Sequence, residues 1–252
     1  MVDLDRASAL QKGIAQPIYL QLQDLIRDHI SSGAWQPGEL IPSEQAMVRQ
    51  FAIARMTVRQ ALDGLIHDGL LVRVRGKGTY VARPKVEREL SRMHGFSEDM
   101  RARGMIPLTR LLARDVIPAP EEVSAHLHLE QREAVIYLQR LRFADGAPMA
   151  LETCYLNYTL CQGILHADLE GDSLYRVLEQ EAHIELRHAS QELQAALPRK
   201  AEASLLHVSQ RQPVLVIRQV TYLRAAGSEQ PGIFGRTVYR ADRYHFRLEV
   251  PR

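Results

Sequence analysis

At 252 residues the chain exceeds the common single-domain length, and 25% charged with 46% hydrophobic residues is the profile of a soluble two-domain protein, which excludes a disordered or membrane-embedded one. Two cysteines, Cys154 and Cys161, cannot build a disulfide framework, and neither a charged-then-apolar opening nor a run of about 18 apolar residues is present. A reduced, cytoplasmic setting without a membrane partner is expected. The formal net charge of +2 hides a local imbalance: between Arg49 and Lys85 eight arginines and lysines face only Asp63 and Asp68, the footprint of a phosphate-backbone partner.

Met1 to Gln16 lacks periodicity and is expected to be disordered. Pro17 suits a first helical position, and Ile18, Leu22, Leu25, Ile26 and Ile30 form an apolar stripe on a first helix, ended by Ser31-Ser32-Gly33. Trp35, the only tryptophan, lies in a turn-rich connection where its ring should plug the gap between helices. Ser43 is a good N-cap for a short second helix with Ala46, Met47, Val48 and Phe51 on its apolar side. Ala52-Ile53-Ala54 then leads to a third helix from about Arg55. Its core face is Val58, Ala61, Leu62, Leu65 and Ile66, and its outer face carries Met56, Thr57, Arg59 and Gln60. Asp68-Gly69 stops it. Leu71 to Arg75 alternate like a strand, with Val72 and Val74 opposite Arg73 and Arg75, and Gly76-Lys77-Gly78 turns the chain back through Thr79 to Val81. Three helices followed by a cationic hairpin is the order of a winged helix-turn-helix, over residues 17–82.

Residues 83–92 are polar, include Pro84, and read as a linker, so the second domain should occupy 93–252. Phe96 opens it, with Ser97 as the expected N-cap of a helix and Glu98-Asp99 in its first turn. Thr109 to Val116 is strand-like, and a short helix is expected around Glu121 to Leu127. Ala134 to Phe143 and Pro148 to Leu156 flank Asp145-Gly146 as a hairpin. Asp172-Ser173 should cap a helix carrying Leu174, Val177 and Leu178. Glu185 to Leu197 reads as another strand, Pro198 opens a helix through Leu206, and Pro213 to Tyr222 with Ile233 to Arg240 makes a second hairpin. An internal echo aligns His126–Phe143 with Leu205–Tyr222, matching His128 with His207, Gln131 with Gln210 and Arg132 with Arg211. Two helix–hairpin units of this kind predict a pseudo-symmetric α+β domain around one antiparallel sheet.

The segment from Pro17 to Val81, with RMTVRQAL followed by GLL.R..G.GT.V, resembles the DNA-binding domain of GntR-type bacterial regulators. The second half, through GFSEDMRARGM, RLRFADGAPMALET, DSLYRVLEQ and RTVYRADRYHF, resembles the UTRA effector-binding domain of the HutC subfamily, a chorismate-lyase-like antiparallel sheet with helices. The resemblance implies a homodimeric transcriptional regulator, a repressor, on double-stranded operator DNA. Its DNA contacts would come from Ser43, Glu44, Gln45, Arg55, Met56, Thr57, Arg59, Gln60, Arg75, Gly76, Lys77 and Gly78. Arg55 and Arg59 would reach guanine edges or phosphates, Thr57 a phosphate, and the glycine-flanked tip the minor groove. Two departures stand out: Ala54 where the family usually has a capping serine, which should cost that helix start about 1 kcal/mol, and Gln45 where an arginine is common.

In the second domain Arg140 and Arg142 fall on one face of a strand, a cationic pair suited to phosphate or carboxylate. Ser173 and Phe96-Ser97 sit at helix starts, which favour anions. By the resemblance, Phe96, Ser97, Arg140, Arg142 and Ser173 would hold an anionic group, and Glu152, Tyr175 and Tyr239 would face the rest of a small effector, either a sugar phosphate or a small carboxylate. Ile233 stands where sugar-phosphate-binding relatives commonly carry glutamate, which argues against a cationic amino-sugar contact there. Parity bears on Glu152: a plain two-residue Asp145-Gly146 loop pairs Arg140 with Leu151 and turns Glu152 away, whereas an odd-length loop or a bulge near Pro148 brings Glu152 beside Arg140.

His126-x-His128 has no thiol or carboxylate set nearby, so no metal or cofactor is expected. No phosphate loop, nucleophile elbow or HExxH occurs, so an enzyme is not expected either. The alternatives are a lyase-like enzyme domain fused to a DNA-binding head, which would turn over chorismate-like substrates, and a nonspecific DNA-binding protein, which would show a salt slope without sequence preference.

Overall fold

The computed structural model describes residues 10–11, 13–74, 76–83, 85–91, 93, 95–171, 173–180, 183–225 and 227–250. It divides the chain into two units, Met1–Lys85 and Val86–Arg252.

The first unit is built on the apolar stripe of α1 (Ile18–Ser31), which buries Leu22, Leu25 and Ile26 among Val58, Ala61, Leu62 and Leu65 of α3 (Arg55–His67). A buried amide crosses this contact, Gln23 Nε2 donating to the Ala61 carbonyl at 3.1 Å. Trp35 is 1% exposed and joins the same core, as its place in the connection predicted. Ser43 caps α2 (Glu44–Phe51), its Oγ accepting from Ala46 N at 3.2 Å. Ala52, at φ 49°, makes the tight turn into α3. The wing is β1 (Leu71–Val74) antiparallel to β2 (Gly78–Val81), with Leu71 opposite Val81.

Three local expectations for this unit need correcting. Pro17 stands just before α1 with an extended ψ of 143° instead of occupying its first turn. Val72 and Val74 are exposed, so the alternation in β1 does not mark a buried face, and only Leu71 and Val81 reach the core. Residues 1–9 and 12 of the segment expected to be disordered lie outside the described residues; within it, Gln11 N donates to Gln21 Oε1 at 2.8 Å and Leu10 packs on the core.

The second unit is organised by a six-stranded antiparallel sheet in the order β4 (Pro107–Pro118), β5 (Ala134–Ala144), β6 (Ala147–Asn157), β9 (Ser228–Arg240), β8 (Val214–Ala225), β7 (Glu185–Ala196). The order is symmetric about the β6–β9 pair, so β4, β5 and β6 correspond to β7, β8 and β9. Each half has a helix before its hairpin, α5 (Glu121–Leu127) and α8 (Lys200–Leu205). His128 and His207 follow those helices at φ 52° and 53°, so the internal echo is expressed in backbone conformation as well as in sequence. The other helices are α4 (Phe96–Ala102), α6 (Tyr158–Cys161) and α7 (Leu174–Gln180), with a 3₁₀ turn at Gln162–Leu165.

Here too the structure departs from expectation. β3 (Val86–Glu89) runs parallel to β10 (Tyr244–Arg247), so the stretch 83–92 expected as a linker contains a strand of the second unit. Only residues 82–85 separate β2 from β3. Pairing with a partner more than 150 residues away in sequence supplies what the polar composition of 83–92 does not reveal. Gly95, not Ser97, precedes α4, and Ser97 lies within that helix. Asp172, expected as a cap, lies outside the described residues. No helix among the described residues is long and apolar enough to cross a membrane.

Trp35 gives a selective reporter of the first unit. Leu62→Ala, at a 1% exposed position, should lower that unit's stability by about 2–5 kcal/mol, read as an earlier fluorescence transition in urea.

Candidate functional site

On the first unit the described residues expected to meet DNA lie on α2, α3 and the wing or just before α2, most of them exposed. Arg55, Met56, Arg59 and Gln60 project from α3, all exposed, with Thr57 half-buried. Gln45 is exposed on α2, and Lys77 and Gly78 are exposed in the wing. Gly78 has φ 123°, and a Cβ there would sit 2.7 Å from Leu40 Cδ1, so the wing needs glycine at this position. Arg75 lies outside the described residues.

The arginines of this surface are held by acids of the same unit. Glu44 lies 3.3 Å from Arg55 Nε and 3.4 Å from Arg73 Nη2, and Asp63 lies 3.0 Å from Arg73 Nη1 and 3.9 Å from Arg59 Nε. Exposed pairs of this kind contribute little stability; their effect is to set where the cations stand. As Ala54 implied, α3 begins without a side-chain cap.

Of the residues expected to hold an effector in the second unit, all but Ser97 line one cavity. The position of Glu152 turns on the β5–β6 hairpin. Asp145 (φ 49°) and Gly146 (φ 73°) make a two-residue turn, and a bulge follows at once, since Phe143 pairs with Pro148 but Arg142 pairs with Ala150. The extra residue restores the face, and Arg140 pairs with Glu152. Arg140 Nη2 and Glu152 Oε2 are 2.6 Å apart, and Arg142 Nη1 is 3.6 Å from the same oxygen. Arg142 Nη2 donates to Ser97 Oγ at 3.1 Å, and its Cζ lies 4.7 Å from the Phe96 ring centre. Ser97 thus contacts Arg142 and does not itself line the cavity. Phe96, Glu152, Ser173, Tyr175 and Tyr239 do line it. Gly95 admits Ser173 to this wall, because a Cβ on it would collide with the serine hydroxyl.

The electrostatics are those of a buried cationic site. Arg140 and Arg142 are each 2% exposed. Burial works against the Arg142 charge and Arg140 adds to this, pushing its pKa down to about 10 against the pull of Glu152. For Glu152 burial acts to raise the pKa, but Arg140 and Arg142 outweigh it and hold the carboxyl below the ordinary value. Burial raises the Tyr175 and Tyr239 phenols, which therefore stay protonated and neutral. Among the described residues, Arg140 Nε and Nη1 and Arg142 Nε are buried without a hydrogen-bond partner, donor capacity that a bound anion could use.

Sequence reasoning missed the far wall. Gln219 and Thr221 stand at the places on β8 that Arg140 and Arg142 hold on β5, by the same echo that matches His128 with His207. Gln219 Nε2 donates to Tyr175 Oη at 2.6 Å and to Thr221 Oγ1 at 2.7 Å. The internal repeat was the signal that could have found them. The cavity is therefore bipolar, guanidiniums at one end and an amide–hydroxyl network at the other. Arg88, from β3, also lines it. The described residues contain no cluster of His, Cys, Asp and Glu that could hold a metal ion.

Comparison with known proteins agrees with this architecture. Residues 18–81 match the family described as bacterial regulatory proteins, gntR family, and residues 102–245 match the UTRA domain. The chain is 37% identical over 230 residues to the HTH-type transcriptional repressor NagR of Bacillus subtilis, covering 91% of this chain and 93% of that protein. It is 31% identical over 209 residues to a histidine utilization repressor of Pseudomonas aeruginosa, covering 83% of each. Among solved structures, PhnF from Mycobacterium smegmatis is similar with a TM-score of 0.65 and 30% identity, covering 92% of this chain and 98% of that one.

Since the arginines lower the folded-state pKa of Glu152, its carboxylate contributes stability that is whole above the ordinary carboxylate range and is lost as pH falls through the folded value. Thermal melts of the full chain below about pH 4.5 should therefore lose less stability in Glu152→Gln than in the wild type. Parallel pH profiles for the two would contradict the pairing.

Proposed function

The chain belongs to the GntR family of bacterial regulatory proteins and carries a UTRA domain behind its DNA-binding head, and we propose that it represses transcription as a homodimer whose hold on a palindromic operator is altered by a phosphorylated polyol in the second unit's cavity. It is a DNA-binding transcriptional regulator and not an enzyme. It would act in the cytoplasm, where its operator DNA is.

The bipolar cavity carries this reading. Arg88, Arg140 and Arg142 set against Glu152 leave an excess of two positive charges (three minus one), which suits the dianion of a phosphate monoester held by planar guanidinium forks. Gln219, Thr221 and Tyr175 offer amide and hydroxyl groups of the kind that bind sugar hydroxyls. A small carboxylate has one charge to set against that excess and leaves the hydroxyl end unused. On the first unit, Arg55 and Arg59 would reach guanine edges or phosphates, with Ser43, Glu44, Gln45, Met56, Thr57 and Gln60 around them on the major-groove face. The Gly76-Lys77-Gly78 tip would enter the minor groove.

The test joins both units. The full chain should retard the promoter fragment of its own gene, and Arg55→Ala with Arg59→Ala should weaken this by about 1–3 kcal/mol per arginine. In a thermal-shift panel, sugar phosphates should raise the melting temperature while the unphosphorylated sugars do not, and Arg142→Lys, which keeps the charge but loses the planar fork, should weaken the response about tenfold. Stabilisation by small carboxylates alone would overturn the ligand class. An unchanged gel shift in the double arginine variant would overturn the DNA face.

A further inference from the structure

The cavity measures about 60 Å³, small beside the roughly 300–1,000 Å³ of small-molecule sites. A ligand of the proposed class fits better if a wall yields, and the walls are not equally held. Arg140, Glu152, Thr237 and Ile217 lie in one cross-strand row over β5, β6, β9 and β8, fixed by ladders on both sides. β3 is a four-residue strand in a two-stranded sheet, paired with β10 alone.

β3 carries Arg88, whose side chain reaches the cavity. Its Nη1 donates to the Tyr239 hydroxyl, and its Cζ lies 5.2 Å from the centre of the Tyr239 ring. Arg140 and Arg142 have Glu152, but among the described residues no carboxylate forms an ion pair with Arg88. A neutral phenol and a π face hold a full charge that a phosphate would hold better, because an arginine–phosphate pair has both partners ionised and can be bidentate. The strand bearing this arginine is also the first element after the DNA-binding unit, four residues (82–85) beyond β2.

Taking the cavity as the effector site, as proposed above, we infer that Arg88 is its third anion-binding arginine and that capture of Arg88 by the anion displaces β3, the strand through which the joining segment feels effector occupancy. A ligand shifts a two-state equilibrium only through contacts that differ between the states, and exchange of Tyr239 for a phosphate oxygen is such a contact. The hydrogen bonds bracketing β3, Val86 N to Arg243 O at 2.7 Å and Leu90 N to Arg247 O at 3.0 Å, are where the displacement would register.

The full-length protein is titrated with inorganic phosphate and with glucose 6-phosphate by calorimetry, and amide hydrogen exchange is followed at saturating probe. In the wild type, probe should change exchange at Val86 and Leu90 several-fold. Arg88→Gln should bind the probe about tenfold more weakly. At saturation its Val86 and Leu90 amides should no longer respond, although amides of β5 and β6 still do. Arg88→Lys, which keeps the charge, should recover part of both effects, and this separates the role from a folding defect. Unchanged affinity in Arg88→Gln overturns the binding role, and weakened binding with an intact β3 response overturns the coupling. A wild type that binds neither probe removes the effector-site reading itself and this inference with it.

Discussion

Arg140 and Arg142 are held out of water with one carboxylate between them, and the rest of the second unit is arranged to permit that. Removing charges from water costs several kcal/mol per ion even after relaxation, and Glu152, close to Arg140 and more distant from Arg142, offsets it only in part. Arg142 falls back on a serine hydroxyl and the face of Phe96. Such an arrangement persists because the sheet leaves the side chains nowhere to go. Each arginine's strand is fixed by register on both sides. A site short of negative charge, inside a rigid frame, is poised to gain more from an anion than any exposed cluster of arginines would.

The DNA-facing surface handles its charge differently. Arg55, Arg59 and Arg73 stand in water, and Glu44 and Asp63 hold them at little energetic cost or gain. DNA phosphates would exchange for those acids in a screened environment, where the balance depends on salt. The two units thus use the same residue types in two regimes: an exposed set suited to a long polyanion, and a buried set suited to one small dianion.

Much of this could be read from sequence where the signal is local. The α3 stripe, the Asp68-Gly69 stop, the Ser43 cap and the Asp145-Gly146 turn are short-range patterns, and each stands where it was expected. The side on which Glu152 falls was not decidable, because it depends on a bulge between Arg142 and Ala150 that composition does not announce. β3 was invisible for a different reason: Val86–Glu89 is polar and becomes a strand only through β10, at the other end of the chain. Arg88 was missed with it. Gln219 and Thr221 look like ordinary strand residues until the pseudo-symmetry of the sheet sets them opposite the arginines. Ser97 was assigned to the right neighbourhood, but it meets Arg142 from inside α4 and does not line the cavity.

The proposed function makes the cavity and the DNA face one thermodynamic system. Linkage makes any such coupling reciprocal, so the most direct measurement is effector affinity by calorimetry for the free protein and for the protein saturated with operator DNA, using the sugar phosphate that stabilises it most. Affinity should fall on the operator by the same factor by which that ligand weakens DNA binding, about 5- to 150-fold for coupling of ordinary strength. Equal effector affinity in the two states would show that the cavity and the DNA face are uncoupled.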